Sequence, residues 1–204
     1  MYSLDSHREL QDAVWRLAYI AEYREGSNLA HLERIKGYVQ ILGRGIGLTQ
    51  NEYQLIATAC QLHDIGKVGL PESLLLQQGQ YSETELQKIK RHTTIGAELL
   101  SNSTSPVLQA AETIALNHHE RWDGSGYPHG ISGEEIPLSA RMCALADVFD
   151  ALTTPRPYKK EITPEDASRL IIGAGGSLFD PQLVEVFEAE LPAFLKVKKT
   201  VEKR

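Results

Sequence analysis

The sequence predicts an all-α protein. Apolar residues recur at helical spacing, i, i+3/i+4 and i+7, along most of the 204 residues. Helix-start signals recur between these stretches, namely the capping pairs Thr49/Glu52 and Ser82/Glu85 and the steps Ser105-Pro106, Thr163-Pro164 and Asp180-Pro181. No segment reads convincingly as a strand, and neither internal repeats nor low-complexity tracts occur.

Residues 8–24 carry Leu10, Val14, Leu17 and Ala21 at i, i+4, i+7 and i+11, one face of a helix. This helix suits a linker from a preceding domain as well as it suits packing on the core. The next helix runs from about Leu29 to the Gly43–Gly47 region. The helix after Thr49 turns Leu55, Ile56, Ala59 and Leu62 inward and delivers His63 and Asp64 at its end. Gly66 and Gly69 stop it, and Pro71 opens a loop. From Ser82 a single helix carries Leu86, Ile89, Gly96 and Leu99 on one face, with His92 on or beside it. After Ser105-Pro106, the residues Val107, Ala110, Ala111, Ile114 and Ala115 lead to His118. Residues 123–137 hold four glycines and two prolines and read as a loop. The following helix places Cys143, Asp147 and Asp150 at i, i+4 and i+7. The expected organisation is an N-terminal helix or linker at 1–24, one domain over 25–195 and a basic tail at 196–204.

Composition narrows the function. Hydrophobic residues make up 42% of the chain, enough for a packed core. A net charge of −6 argues against binding polymeric nucleic acid, which needs a basic surface. It leaves room for a small phosphorylated ligand, because bound cations can dominate the field in a cleft. Cys60 and Cys143, the two cysteines, sit in apolar helical patterns and read as core, not as a disulfide. No run of 18 apolar residues and no signal peptide is visible, so a cytoplasmic protein without membrane contact is expected.

The chemistry concentrates in three segments, His63-Asp64-Ile65-Gly66-Lys67, His118-His119-Glu120-Arg121-Trp122-Asp123-Gly124-Ser125-Gly126-Tyr127-Pro128, and Asp147 through Thr153. Imidazoles and carboxylates at this density suit a site with more than one metal ion. A lone His-Asp pair is as well read as a hydrogen-bonded helix end. Followed by Gly66, which permits a tight turn, it brings the Lys67 ammonium beside the metals, where it suits a phosphate oxygen. Consecutive histidines point about 100° apart on a helix, so His118 and His119 share a site only at a helix end, which the glycine-rich loop supplies. Asp147 follows an apolar stripe, where a carboxylate is costly unless paired or metal-bound. Asp150, on the same face, orients a ligand or meets substrate. His31 and His92 gain weight as the other histidines within the patterned region, while His7 lies in the N-terminal extension and His129 in the loop.

With these motifs the chain resembles an HD-GYP domain, the subgroup of HD-superfamily metal phosphohydrolases that cleave cyclic di-GMP. Arg91 through Ala97 around His92, and Arg156-Pro157-Tyr158-Lys159, complete the match, which covers roughly residues 19–190. The resemblance implies an HD-type helical bundle. It also implies a metal held by His31, His63, Asp64 and Asp147, and a second held by His92, His118 and His119, with Asp64 bridging. His63, Asp64 and Lys67 form the implied catalytic set. Lys67, Tyr127, Asp150, Arg156 and Lys159 match positions that meet the cyclic dinucleotide. Iron or manganese is the metal most often used in the family, and the all-nitrogen-and-oxygen ligand set also fits nickel or zinc. One departure stands out. Members with a third metal carry a glutamate four residues before the first histidine, where this chain has Ser27. Glu25 is off the ligand face of a regular helix. Two metals are therefore expected over three, with cleavage of cyclic di-GMP to pGpG and the second step, from pGpG on to GMP, left open. Other readings are an HD phosphohydrolase acting on another nucleotide, and a silent domain that binds cyclic di-GMP or a protein such as a diguanylate cyclase. An N-terminal receiver domain and a second copy, met through the first helix, are the other partners to expect.

Overall fold

The computed structural model describes residues 4–24, 29–77, 79–155 and 161–201. Its helices are α1 (Leu4–Tyr23), α2 (Ala30–Gly45), α3 (Gln50–Cys60), α4 (Glu72–Leu75), α5 (Glu83–Lys90), α6 (His92–Leu100), α7 (Pro106–Asn117), α8 (Leu138–Thr153), α9 (Pro164–Gly173), α10 (Pro181–Ala189) and α11 (Leu191–Val201). A 3-10 turn, Ile65–Gly69, follows α3, and another, Gly133–Glu135, lies in the loop before α8. No strand forms among the described residues beyond one isolated bridge between Gly175 and Phe179. The expected all-α bundle is what the chain forms. No described helix is long and apolar enough to cross a membrane.

Local chemistry sets most of the helix starts. Thr49 and Ser82 form full capping boxes with Glu52 and Glu85. Thr163 and Asp180 accept hydrogen bonds from the backbone N–H of Asp166 and Gln182, with proline next in line. Ser105 precedes Pro106 as expected but makes no capping bond, and its Oγ is buried without a partner.

α2, α3, α7 and α8 surround the core, which includes Leu32, Ile35, Leu42, Cys60, Ile114, Met142, Cys143 and Phe149. Both cysteines are free and buried, as core residues should be. Tyr38 stacks on Phe194 at 4.7 Å between ring centroids, and Phe149 meets Phe187 edge-on at 5.3 Å. Burying each such side chain contributes about 1.5–3 kcal/mol.

Three sequence expectations need correction. The inward face of α1 is Val14, Ala18 and Ala21, with Glu22 also buried, while Leu17 is 43% exposed, so the stripe passes through Ala18 instead of Leu17. The helix expected from Ser82 is two helices, breaking at Arg91, whose N–H bonds to the Lys88 carbonyl three residues back. The break re-registers the inner face, so Leu100 is buried (7%) and Leu99 exposed (55%). Finally, the boundary expected at 195/196 falls inside α11, which is anchored by buried Phe194 and by Lys198 donating to the Thr153 carbonyl.

Candidate metal centre

Five segments deliver the site. His31 comes from the first turn of α2, and His63 and Asp64 from the turn after α3. His92 opens α6, His118 and His119 end α7, and Asp147 lies on α8. The turn after α3 can sit this close because residue 66 is glycine. A Cβ there would fall 1.9 Å from the His92 carbonyl oxygen and 2.4 Å from the Gly96 nitrogen, both immovable backbone atoms. The break at Arg91 sets His92 at the head of the new helix, facing the turn.

These residues form two adjacent groups, each able to hold a metal ion. Asp64, His92, His118 and His119 make one, and His31, His63 and Asp147 the other. Within each, the potential ligand atoms lie within 4.8 Å of one another. Asp64 stands between them, with Oδ1 3.3 Å from His92 Nε2 and 3.7 Å from His118 Nε2, and Oδ2 3.2 Å from His63 Nε2. Asp147 Oδ1 lies 3.8 Å from His31 Nε2 and 4.0 Å from His63 Nε2.

Hydrogen bonds on the far side of the rings decide what the near side does. His63 Nδ1 faces the Cys60 carbonyl at 2.9 Å, His92 Nδ1 the Ile89 carbonyl at 2.7 Å, and His118 Nδ1 the carbonyls of Ile114 and Ala115 at 3.1 Å. His31 Nδ1 faces Asp150 Oδ2 at 2.8 Å. These acceptors hold a proton on Nδ1 and leave Nε2 as the ring nitrogen aimed inward, a lone pair wherever the ring is neutral. His92 Nε2 and His118 Nε2 stand 3.4 Å apart, so their lone pairs face each other. His63 Nε2 and Asp64 Oδ1 are buried without a hydrogen-bond partner. Buried polar groups are seldom left this way. A cation satisfies all of them at once, so the residues fit the metal ions that the sequence implies.

The electrostatics agree. Burial alone would raise the Asp64 carboxyl, but Lys67, with Nζ at 2.8 Å, and His63 hold it well below the usual carboxylate range. Burial sets His92 down at about 4 against the upward pull of Asp64, and burial followed by the neighbouring His118 lowers His119 further. Burial likewise pulls His63 down, but Asp64 and Asp147 outweigh it, and its pKa lies well above the ordinary imidazole value. A metal ion must therefore displace a proton from His63 at any pH below that raised value. Affinity should weaken as pH falls, and loading should release about one proton per protein. Calorimetric titration with Mn²⁺ in buffers of different ionisation enthalpy measures this, and the same buffer-independent heat in mildly acidic and alkaline solution would contradict it.

Lys67 reaches the site as expected. Tyr127 also lies there, its ring stacked on His119 at 4.7 Å with the Lys90 ammonium 5.2 Å from its centroid. Burial raises its phenol, so it stays protonated. Arg156 and Lys159 lie outside the described residues. Asp150 corrects its expected role as a substrate contact. It is 1% exposed, and its oxygens are taken by Arg34 Nε and Nη2 and by His31. Burial would raise it, but Arg34 and then His31 bring it to about 2. Asp150 thus fixes the tautomer and orientation of a metal-site histidine.

Sequence reasoning missed three contributors. Buried Arg34 anchors Asp150, and its signal was a cation within the apolar stripe of α2. Buried Glu120 accepts from the backbone N–H groups of His129 (2.7 Å) and Gly130 (3.0 Å), closing the loop that presents Tyr127. Arg24 binds the turn that carries Lys67.

The comparisons fit this geometry. The sequence model of the HD domain family matches residues 17–183. Over 175 residues the chain is 46% identical to the cyclic di-GMP phosphodiesterase response regulator RpfG of Xanthomonas campestris pv. campestris, covering 86% of this chain and 46% of that protein. It is 42% identical over 185 residues to a cyclic di-GMP phosphodiesterase of Thermotoga maritima, covering 91% of this chain and 48% of the relative. The chain thus spans about half the length of these curated relatives. The crystal structure of a cyclic GMP-AMP specific phosphodiesterase of V. cholerae (V-cGAP3) superposes with a TM-score of 0.69 at 25% identity, over 95% of this chain and 53% of that one. The chain belongs to the HD domain family, and its Gly126-Tyr127-Pro128 block beside paired metal-binding groups makes it an HD-GYP domain.

Proposed function

We propose that this chain is a metal-dependent phosphodiesterase that hydrolyses cyclic di-GMP to pGpG. The observation that carries the reading is the convergence of the inward Nε2 atoms and the Asp64 carboxylate on two adjacent points, with the far-side Nδ1 of His31, His63, His92 and His118 already engaged. His31, His63, Asp64 and Asp147 would hold one ion, and His92, His118, His119 and Asp64 the other. When bound, such ions polarise a phosphoryl oxygen and acidify a water at neutral pH. Iron and manganese, or nickel and zinc, suit the donors.

The protein's own groups do the rest. Lys67 brings an ammonium within 2.8 Å of Asp64, placed to bind a phosphate oxygen of the substrate. Tyr127 and Lys90 wall the site beside His119 with an aromatic face and a cation. By the family match, Arg156 and Lys159 meet the second phosphate. Asp150 and Arg34 keep His31 in place.

Cyclic GMP–AMP is a second substrate reading, favoured by the name of the solved relative that the chain superposes on. It uses the same site and chemistry. The test is anaerobic incubation of Fe(II)- or Mn(II)-loaded protein with each cyclic dinucleotide, followed by chromatography. Accumulation of pGpG from cyclic di-GMP is expected. GMP as end product would contradict the two-metal reading. Turnover of cyclic GMP–AMP alone would select the second substrate, and metal-loaded protein without any turnover would make the chain a silent binder.

A further inference from the structure

Arg24 follows the last residue of α1 and is half-buried. Its guanidinium donates to the carbonyls of Lys67 (Nη1, 3.2 Å), Val68 (Nη1) and Leu70 (Nη2, 3.0 Å). The Val68 and Leu70 carbonyls lie at the end of the 3-10 turn Ile65–Gly69 and just past it, while the Lys67 carbonyl also accepts from the Leu70 N–H. A guanidinium offers five N–H donors in a planar fork, so one side chain can gather several of them. The opposite side of the turn rests on the backbone of α6 through Gly66. The turn that aims Lys67 is therefore gripped from two sides, by α6 and by α1. α6 also carries His92, so its grip is part of the metal centre. The α1 grip touches no metal-binding residue and meets the turn at Lys67 and beyond.

We propose that Arg24 is a positioning residue for Lys67, through which the seating of α1 sets how well the site binds the substrate phosphate. The inference rests on the phosphodiesterase reading for its kinetic arm alone. α1 packs on the turn and on α3; its buried residues among those described are Val14, Ala18, Ala21 and Glu22, while Leu17, Ile20 and Tyr23 are exposed on its outer side. With so few buried side chains, the helix relies on its polar end contacts to fix its position along the turn. Whatever displaces α1 is then read out as a change in substrate affinity, with the metal ligands left in place.

The experiment compares Arg24→Met and Arg24→Lys with the parent chain, alone and in a Lys67→Met background, with metal content measured throughout. Arg24→Met should raise KM for cyclic di-GMP about tenfold, the loss of one charge-assisted hydrogen bond's worth of positioning, with kcat within about twofold and metal content unchanged. Arg24→Lys should fall between, since an ammonium still meets part of the carbonyl cluster. In the Lys67→Met background Arg24→Met should add nothing further, because the group that it positions is gone. A KM that stays at the parental value, or a rise that adds in full to that of Lys67→Met, overturns the proposal. If Arg24→Met does not fold, the lysine variant carries both comparisons. Hydrogen exchange at the amides of residues 65–70 needs no substrate. Faster exchange there in the Arg24 variants, with α2 and α8 unchanged, upholds the clamp even if the parent chain leaves cyclic di-GMP untouched, an outcome that overturns the substrate reading only. Unchanged exchange overturns the clamp itself.

Discussion

Asp64→Ala is expected to abolish turnover, a loss on the order of a thousandfold or more, together with most of the bound metal. Among the described residues, Asp64 is the carboxylate that touches both groups, through Oδ1 to His92 and His118 and through Oδ2 to His63. Removing it leaves His92, His118 and His119 with no carboxylate, and His31 and His63 with Asp147 alone, so the negative charge that makes divalent cations welcome is lost from one group and halved in the other. It also frees Lys67, 2.8 Å away, to swing from the site. Asp64→Asn separates charge from shape. The amide keeps the size and one acceptor oxygen, so an asparagine variant as inactive as the alanine one assigns the effect to charge. Metal content by elemental analysis and product formation by chromatography are the two readouts. An Asp64→Ala protein that keeps its metal and its rate would overturn the bridging role.

Much of this site was legible in the sequence because its segments announce themselves locally. Capping boxes, Pro at helix starts and the glycines after Asp64 and Asp123 depend on neighbours a few residues away, and all of these features fall where expected. The residues of the two groups able to hold a metal ion were legible as types in a pattern. What was not legible is what depends on packing between distant segments. Asp150 is met by His31 and Arg34, 119 and 116 positions away, and no local pattern tells a carboxylate that orients a histidine from one that faces a ligand. The break at Arg91 carries no glycine or proline, and it is enforced by the need to bring His92 and Gly96 against the backbone at Gly66. The inward choice of Ala18 over Leu17 is open in the sequence, because Val14 and Ala21 lie at helical spacing from both.

Arg34→Met should destabilise the protein by about 3–5 kcal/mol, because it strands a buried carboxylate. Arg34 and Asp150 are each 1% exposed and meet through Nε at 2.5 Å and Nη2 at 2.8 Å. In the parent, Asp150 titrates at about 2, below the roughly 3.9 of an unfolded aspartate. That depression stabilises the fold at neutral pH, and the contribution is lost as pH falls from the unfolded value through the folded one. Without Arg34 the burial of Asp150 dominates and its folded pKa rises above the unfolded value, so the sign reverses. The stability gap between variant and parent should therefore widen as pH increases, which urea unfolding at mildly acidic and at alkaline pH measures. Asp150→Asn added to Arg34→Met removes the stranded charge and should recover a large part of the loss. The metal readout separates stability from positioning. With its orienting partner weakened, His31 should hold metal about 10–100-fold less tightly even where the variant is fully folded. A folded Arg34→Met protein with parental metal affinity would mean that Asp150 orients His31 without help from Arg34.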